Sequence, residues 1–81
     1  MFYILVIHQN ATDQTVSTHV IDTFDTFEDA VEFFRSFFEQ AKWNYIKDRV
    51  PFSAFGDYDQ GKICFDDRSV TTFKVSDNMD R

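Results

Sequence analysis

The chain is short of the residues that usually build or staple a small domain. Its 81 residues include one leucine, one cysteine, one proline and two glycines. A single cysteine excludes an internal disulfide and favours a reducing setting. A domain of this size without a staple depends on its apolar core, or on a partner that covers part of its surface.

Long hydrophobic runs are missing as well. Residues 2–8 are almost continuously apolar, but no basic residue precedes them, and the run is too short for a signal peptide or a membrane span. We therefore expect a soluble cytoplasmic protein, located in the host cytoplasm if the source is viral.

Lysine and arginine are absent from the first 34 residues, and this makes the charge uneven. The net charge is −6, and residues 22–32 contain five acids and no base, namely Asp22, Asp25, Glu28, Asp29 and Glu32. A negative field repels nucleic-acid phosphates and attracts basic surfaces. We therefore expect no direct binding of DNA or RNA.

Phenylalanine takes the place of the missing leucine. The chain has eleven, and those between residues 26 and 47 are Phe27, Phe33, Phe34, Phe37 and Phe38. At 100° per residue, the apolar positions of this segment cover an arc of about 160°, which is wide enough to lie across a sheet. Thr26 followed by Asp29 resembles a capping box, and Pro51 limits the other end. We predict one long helix from residue 26 to about residue 47.

Alternation of apolar and polar residues predicts two β-hairpins around this helix. Residues 2–8 are expected to pair with residues 15–24, in which Val16, Val20 and Phe24 share one face. Residues 62–66 and 69–75 are expected to form the second hairpin, with residues 51–61 as a loop before it. The prediction is a single α+β domain over residues 1–81, in the order ββαββ, with the helix on a four-stranded, mainly antiparallel sheet. Residues 76–81 are expected to fray.

The polar side of the predicted helix is the first candidate site. Glu28, Glu32 and Glu39 project within about 40° of one another, and Trp43 projects on the same side, away from the phenylalanines. An exposed tryptophan beside acids has the composition of an interface hot spot. The predicted partner-binding residues are Asp22, Asp25, Glu28, Glu32, Glu39 and Trp43. The alternative for the acids is a solvated helix face that interacts with the helix dipole. The alternative for Trp43 is burial in the core under the loop from Phe52 to Tyr58.

The predicted 51–61 loop is the second candidate site. Its aromatic and acidic side chains are interleaved, and the candidate residues are Phe55, Asp57, Tyr58 and Asp59. We interpret the segment either as a recognition loop or as a lid over one end of the helix–sheet core.

No metal, cofactor or catalytic site is predicted. Residues 57–61 begin like a calcium loop, but Lys62 and Arg68 stand where glycine and glutamate are needed. His8 and His19 are expected toward opposite ends of the first hairpin, and nothing places a histidine beside Cys64. The sequence has no glycine-rich phosphate loop. We therefore expect a non-enzymatic protein.

In size, charge and class the chain resembles phage-encoded inhibitors of host nucleic-acid machinery, including anti-restriction and anti-CRISPR proteins. The resemblance involves no specific motif. It implies a small acidic protein that imitates the charge of a nucleic-acid backbone. Such a protein would dock its acidic helix face on a basic, nucleic-acid-binding surface of a larger protein, without contacting nucleic acid or a membrane.

Two alternatives stay open. One is a self-associating structural or assembly protein, such as a homodimer, which the continuous apolar strand at residues 2–7 suggests. The other is a sensor that binds a small ligand between helix and sheet, where the phenylalanines would compete for the space.

Overall fold

The computed structural model describes residues 1–77, in which one helix packs on one face of a five-stranded antiparallel sheet. The elements are β1 (Phe2–Gln9), β2 (Val16–Phe24), α1 (Phe27–Lys47), β3 (Phe52–Gly56), β4 (Gln60–Phe65) and β5 (Val70–Asp77). The spatial order of the strands is β2-β1-β5-β4-β3. The α+β class is confirmed, but the predicted four strands and the ββαββ order are wrong, because a further strand follows the helix.

That further strand, β3, lies in the segment that was predicted to be a loop. It pairs with β4, so that Phe52 lies opposite Phe65 and Gly56 lies opposite Gly61. Proline and glycine usually interrupt strands, and both stand in this segment. Here Pro51 only precedes the strand, and the two glycines lie under the ring of Phe38. Residues 52–56 of the segment are therefore an edge strand, and only the turn after them is a loop.

Helix α1 begins and ends as predicted, but its end has a different cause. The Thr26 hydroxyl accepts a hydrogen bond from the Asp29 backbone N–H at 3.2 Å. At the other end Arg49 has a positive φ of 60°, and the Val50 N–H donates to the Tyr45 carbonyl at 2.9 Å. This pattern of a left-handed residue and a bond back across it is a Schellman motif. The backbone of residues 48–50 therefore ends the helix before Pro51 is reached.

The core lies between α1 and the covered face of the sheet. Its buried apolar residues are Ile4, Ala30, Val31, Phe34, Phe38, Ile63, Phe73 and Val75. Aromatic rings hold the two layers together, since Phe73 of β5 lies 5.5 Å from Phe38 and 5.6 Å from Phe37, between ring centroids. The predicted phenylalanine arc is confirmed as core. These rings occupy the space in which a small ligand was considered.

Strand β2 departs from the predicted alternation at a β-bulge. Val20 lies opposite Leu5 and Asp22 lies opposite Ile4, so Ile21 is an extra residue between two regular stretches. One extra residue inverts the alternation of side chains. Phe24 therefore faces the helix, whereas Val16 and Val20 lie on the open face. The prediction that these three share a face is wrong.

Fraying was predicted for residues 76–81, but strand β5 continues to Asp77. Ser76 and Asp77 belong to β5, where Ser76 is buried and lies opposite Tyr3. Residues 78–81 lie outside the described residues.

Candidate functional site: an acidic and aromatic helix face

The polar side of α1 faces solvent along its length. Glu28, Glu32 and Glu39 are exposed. Trp43 and Ile46 project on the same side of the helix, and 60% and 55% of their surfaces are exposed. The alternative in which the 51–61 segment covers Trp43 is therefore wrong. A large aromatic ring therefore stands in solvent one helical turn from Glu39, and the core does not require it.

The two halves of this helix face differ in chemistry. The N-terminal half carries Glu28, Asp29 and Glu32, whereas the C-terminal half carries Trp43 and Ile46. At 1.5 Å per residue, Glu28 and Trp43 are about 22 Å apart along the helix axis. An ordinary protein interface of about 800 Å² per partner is wide enough to include both.

Glu39 differs from the other acids because it is paired. Its Oε1 lies 2.9 Å from Lys42 Nζ, and the same ammonium lies 4.8 Å from the centroid of the Phe38 ring. The exposed Arg35 precedes this pair by one turn. Negative charge is therefore concentrated on the N-terminal side of Arg35. Exposed ion pairs contribute little to stability, and Glu39 contributes less to the field than its sequence position suggests.

Asp22 and Asp25 lie at the N-terminal end of this acidic half. Asp22 lies opposite Ile4, on the helix side of the sheet, and its carboxylate accepts a hydrogen bond from the Thr23 N–H at 2.8 Å. Asp25 is exposed in the short connection between β2 and α1. The bulge at Ile21 matters here, because without it the side chain of Asp22 would face the other side of the sheet.

Tyr58 joins the acidic half, although the sequence prediction assigned it to a separate site. The β3–β4 turn folds back on the helix, where the Tyr58 ring lies 6.1 Å from the Phe27 ring. Tyr58 forms a shallow groove with residues that include Glu28, Glu32 and Arg35. More than half of its surface is exposed. No sequence signal links these positions, because the contact depends on a hairpin that was not predicted.

The other three residues of the second candidate site lie elsewhere or serve the turn. Phe55 is exposed opposite Lys62 on the open face of the sheet. Asp57 accepts a hydrogen bond from the Tyr58 N–H at 2.9 Å, and its own N–H donates to Gln60. The Asp59 carbonyl accepts the Val75 N–H at 2.9 Å, which attaches the turn to β5. These four residues therefore do not form one recognition surface.

The three soft metal ligands, His8, His19 and Cys64, do not come together at one place. His8 lies opposite Thr71 and His19 lies opposite Val6, so both are on the helix side of the sheet, two positions apart along the first hairpin. The expectation that the two histidines lie toward opposite ends of the hairpin is wrong, because the observed register pairs His19 with Val6. Cys64 lies opposite Val70, which places it on the other face. Within residues 1–77, no group of three His, Cys, Asp or Glu side chains is placed to hold a metal ion.

A polar cluster that the sequence prediction missed surrounds His8. Its Nδ1 lies 2.9 Å from Thr71 Oγ1. The Ser69 backbone N–H and hydroxyl, together with the charge of His8, hold the pKa of the nearby Asp67 carboxyl below its ordinary value. The Asp67 carboxylate accepts the Ser69 N–H at 2.9 Å. These bonds shape the β4–β5 turn, and the partners satisfy one another.

A comparison of the chain with protein-family models, curated proteins and solved structures finds no match. In the part of the chain that the structure describes, no helix combines the length and the hydrophobicity that crossing a membrane requires. Surface chemistry is therefore the basis for a functional proposal.

Proposed function

We propose that this chain is a non-enzymatic cytoplasmic module that docks its acidic helix face on a basic surface of a larger protein. One observation carries the proposal: an acidic cluster lies at the N-terminal end of α1, and an exposed tryptophan lies on the same side of that helix as Glu28 and Glu32. The cluster consists of Asp22, Asp25, Glu28, Asp29 and Glu32. Trp43 lies further along the same face.

The two halves of the face have separate tasks in this proposal. The acidic half attracts a basic surface from a distance, which accelerates encounter and fixes orientation. Trp43 then inserts into an apolar pocket beside that surface, since large aromatic side chains carry much of the energy of protein interfaces. Tyr58 flanks the acids and supplies a second aromatic contact. Ion pairs at the rim add specificity more than affinity.

The partner is best described by what its basic surface normally binds. Glu28 and Glu32 are one helical turn apart, with about 5–6 Å between their Cβ atoms. Such a row of carboxylates suits Lys and Arg side chains that are arranged to hold successive phosphates. The proposed role is to inhibit or modulate a nucleic-acid-binding protein by occupying that surface. The resemblance in size, charge and class to phage-type anti-restriction and anti-CRISPR proteins supports this role.

Charge reversal at Glu28 and Glu32 tests the acidic half. We expect the variant with Glu28→Lys and Glu32→Lys to lose the partner that the wild-type chain captures from host lysate. Both side chains are exposed, so the melting temperature should change little. The measurement is a pull-down washed at graded salt, with the captured protein identified by mass spectrometry. Wild-type capture should weaken steeply as salt rises, because the contact is electrostatic.

Asp66 provides a matched control for this experiment. It is exposed in the β4–β5 turn, so Asp66→Lys makes the same change in net charge as Glu32→Lys at a distant place. Capture should survive Asp66→Lys and weaken with Glu32→Lys alone. The proposal fails if the double variant still captures the same protein, or if the two single variants lose it equally.

Truncation of Trp43 tests the apolar half. We expect Trp43→Ala to weaken binding to the captured partner by more than about tenfold, since hot-spot truncations cost about 2 kcal/mol or more. The ring is mostly in solvent, so the free energy of unfolding should stay nearly unchanged. Titration calorimetry with the purified partner measures the first quantity and urea denaturation the second. A stability loss without an affinity loss would assign Trp43 to folding instead.

A further inference from the structure

The sheet has two edges, and one of them contains a stretch without the usual protection. Edge strand β3 is five residues long, follows Pro51 and ends at Gly56. Edge strand β2 is nine residues long and contains no lysine, arginine, proline or glycine. An unprotected edge offers unpaired N–H and C=O groups to another strand, and natural proteins usually block it with charge, proline, shortness or a β-bulge. In β2 the bulge at Ile21 and the charged Asp22 block only the C-terminal part of the strand. Within residues 1–77, no strand pairs with the outer side of β2.

The bulge at Ile21 defines which part of this edge can pair. Between Val16 and Val20 the register with β1 is regular, from Val16 opposite Gln9 to Val20 opposite Leu5. All five residues of this stretch are exposed. The segment reads Val-Ser-Thr-His-Val, which places a valine at each end and a threonine at the centre. The order of β-branched and polar residues is therefore nearly the same when the segment is read backwards. An antiparallel pair of identical strands requires this symmetry.

We propose that β2 of a second copy of this chain pairs with β2, antiparallel, about a two-fold axis through Thr18. In this register Thr18 lies opposite Thr18 of the second copy, and each Val16 lies opposite a Val20. Cross-strand pairs of β-branched residues each contribute about 0.2–1 kcal/mol. A register centred on Ser17 or His19 would place valine opposite threonine and lose the paired valines. The hydrophobic pattern therefore selects one register.

The charge distribution also fits a second copy as the occupant. Two chains with a net charge of −6 repel each other, so a contact forms where charge is absent. Residues 14–21 contain no Asp, Glu, Lys or Arg. The axis stands perpendicular to the sheet, so both copies of α1 lie on the same side. The stretch from Val16 to Val20 includes none of the predicted partner-binding residues, so a failure of this pairing would not affect the function proposed above.

Sedimentation velocity over a range from low micromolar to several hundred micromolar tests the pairing. We expect the wild-type chain to shift from monomer to dimer, with little change between low and high salt. Thr18→Lys places two ammonium groups opposite each other and should raise the dissociation constant at least tenfold. The control is Ser53→Lys, which adds the same charge to an exposed position of the other edge strand. It should dimerise like the wild type.

A cross-link gives a second measurement that does not depend on affinity alone. In a Cys64→Ser background, Thr18→Cys should form a disulfide between two copies under mild oxidation, whereas Ser53→Cys should not. A wild-type chain that remains monomeric throughout overturns the proposal. A dimer that is unaffected by Thr18→Lys, or that cross-links equally through residue 53, overturns it as well, because the contact then lies elsewhere.

Discussion

Replacing Phe34 with alanine is expected to lower the free energy of unfolding by about 3–5 kcal/mol, the usual cost of removing a buried phenylalanine. Only 1% of the surface of Phe34 is exposed, and its ring stacks on Phe38 at a centroid distance of 5.6 Å. A domain of this length is stable by about 4–12 kcal/mol in total. The substitution therefore removes a large part of the stability. Urea denaturation followed by circular dichroism measures the loss.

Two further variants test whether the loss of stability comes from the burial of Phe34 or simply from the removal of an aromatic ring. Phe55→Ala makes the same substitution at a side chain that is 63% exposed, and should cost far less than Phe34→Ala. Phe34→Leu keeps most of the apolar volume and should fall between the two. If Phe34→Ala and Phe55→Ala cost the same, the core does not lie where the structure places it.

The reason for this sensitivity is the composition of the core. With one leucine in the chain, most of the volume between helix and sheet is filled by flat rings. Ring pairs prefer edge-to-face or offset contacts, and each ring therefore fixes the orientation of its neighbours. Phe38 meets Phe73 nearly edge-on, at an interplanar angle of 68°. A cavity left by one ring cannot be filled by small rotations of the others.

The helix was predictable because its signals are long and local. Its apolar arc extends over more than five turns, and the Thr26 cap lies next to it in sequence. The strands were less predictable because their pattern has a period of two. A single extra residue at Ile21 inverts the faces of β2, and no composition rule identifies that residue as a bulge. Strand β3 was missed because Pro51 and the glycines are typical of loops.

The candidate site was predictable to the same extent as the helix. Helical projection alone placed Trp43 and the glutamates on one face, and their exposure follows from where the phenylalanines lie. The ion pair between Glu39 and Lys42 is also predictable from the sequence, since the two residues are three positions apart on the helix. The contact between Tyr58 and Phe27 is not predictable from the sequence, because it requires the turn of an unpredicted hairpin to fold back on the helix.

Replacing Gly61 with alanine is expected to lower the free energy of unfolding by about 1–3 kcal/mol, the usual cost of overpacking a core. A Cβ at this position would lie 2.6 Å from Phe38 Cε1 and from Cζ. The φ of Gly61 is not positive, so the backbone itself accepts alanine. The ring cannot move aside easily, because Phe34 stacks on it and Phe73 contacts it edge-on. For a small domain, each kcal/mol lowers the melting temperature by about 4–8 °C.

Gly56 is the matched control, because it lies opposite Gly61 under the same ring. Its Cβ would meet Phe38 Cε2 at 3.2 Å, a contact that a shift of a few tenths of an ångström relieves, and it lies on the sheet edge. Gly56→Ala should therefore cost clearly less than Gly61→Ala. Shortening the ring should recover part of the loss, so the combination of Gly61→Ala with Phe38→Leu should be more stable than the sum of the single effects predicts. Strict additivity of the two substitutions would mean that Gly61 is required for some reason other than the approach of Phe38.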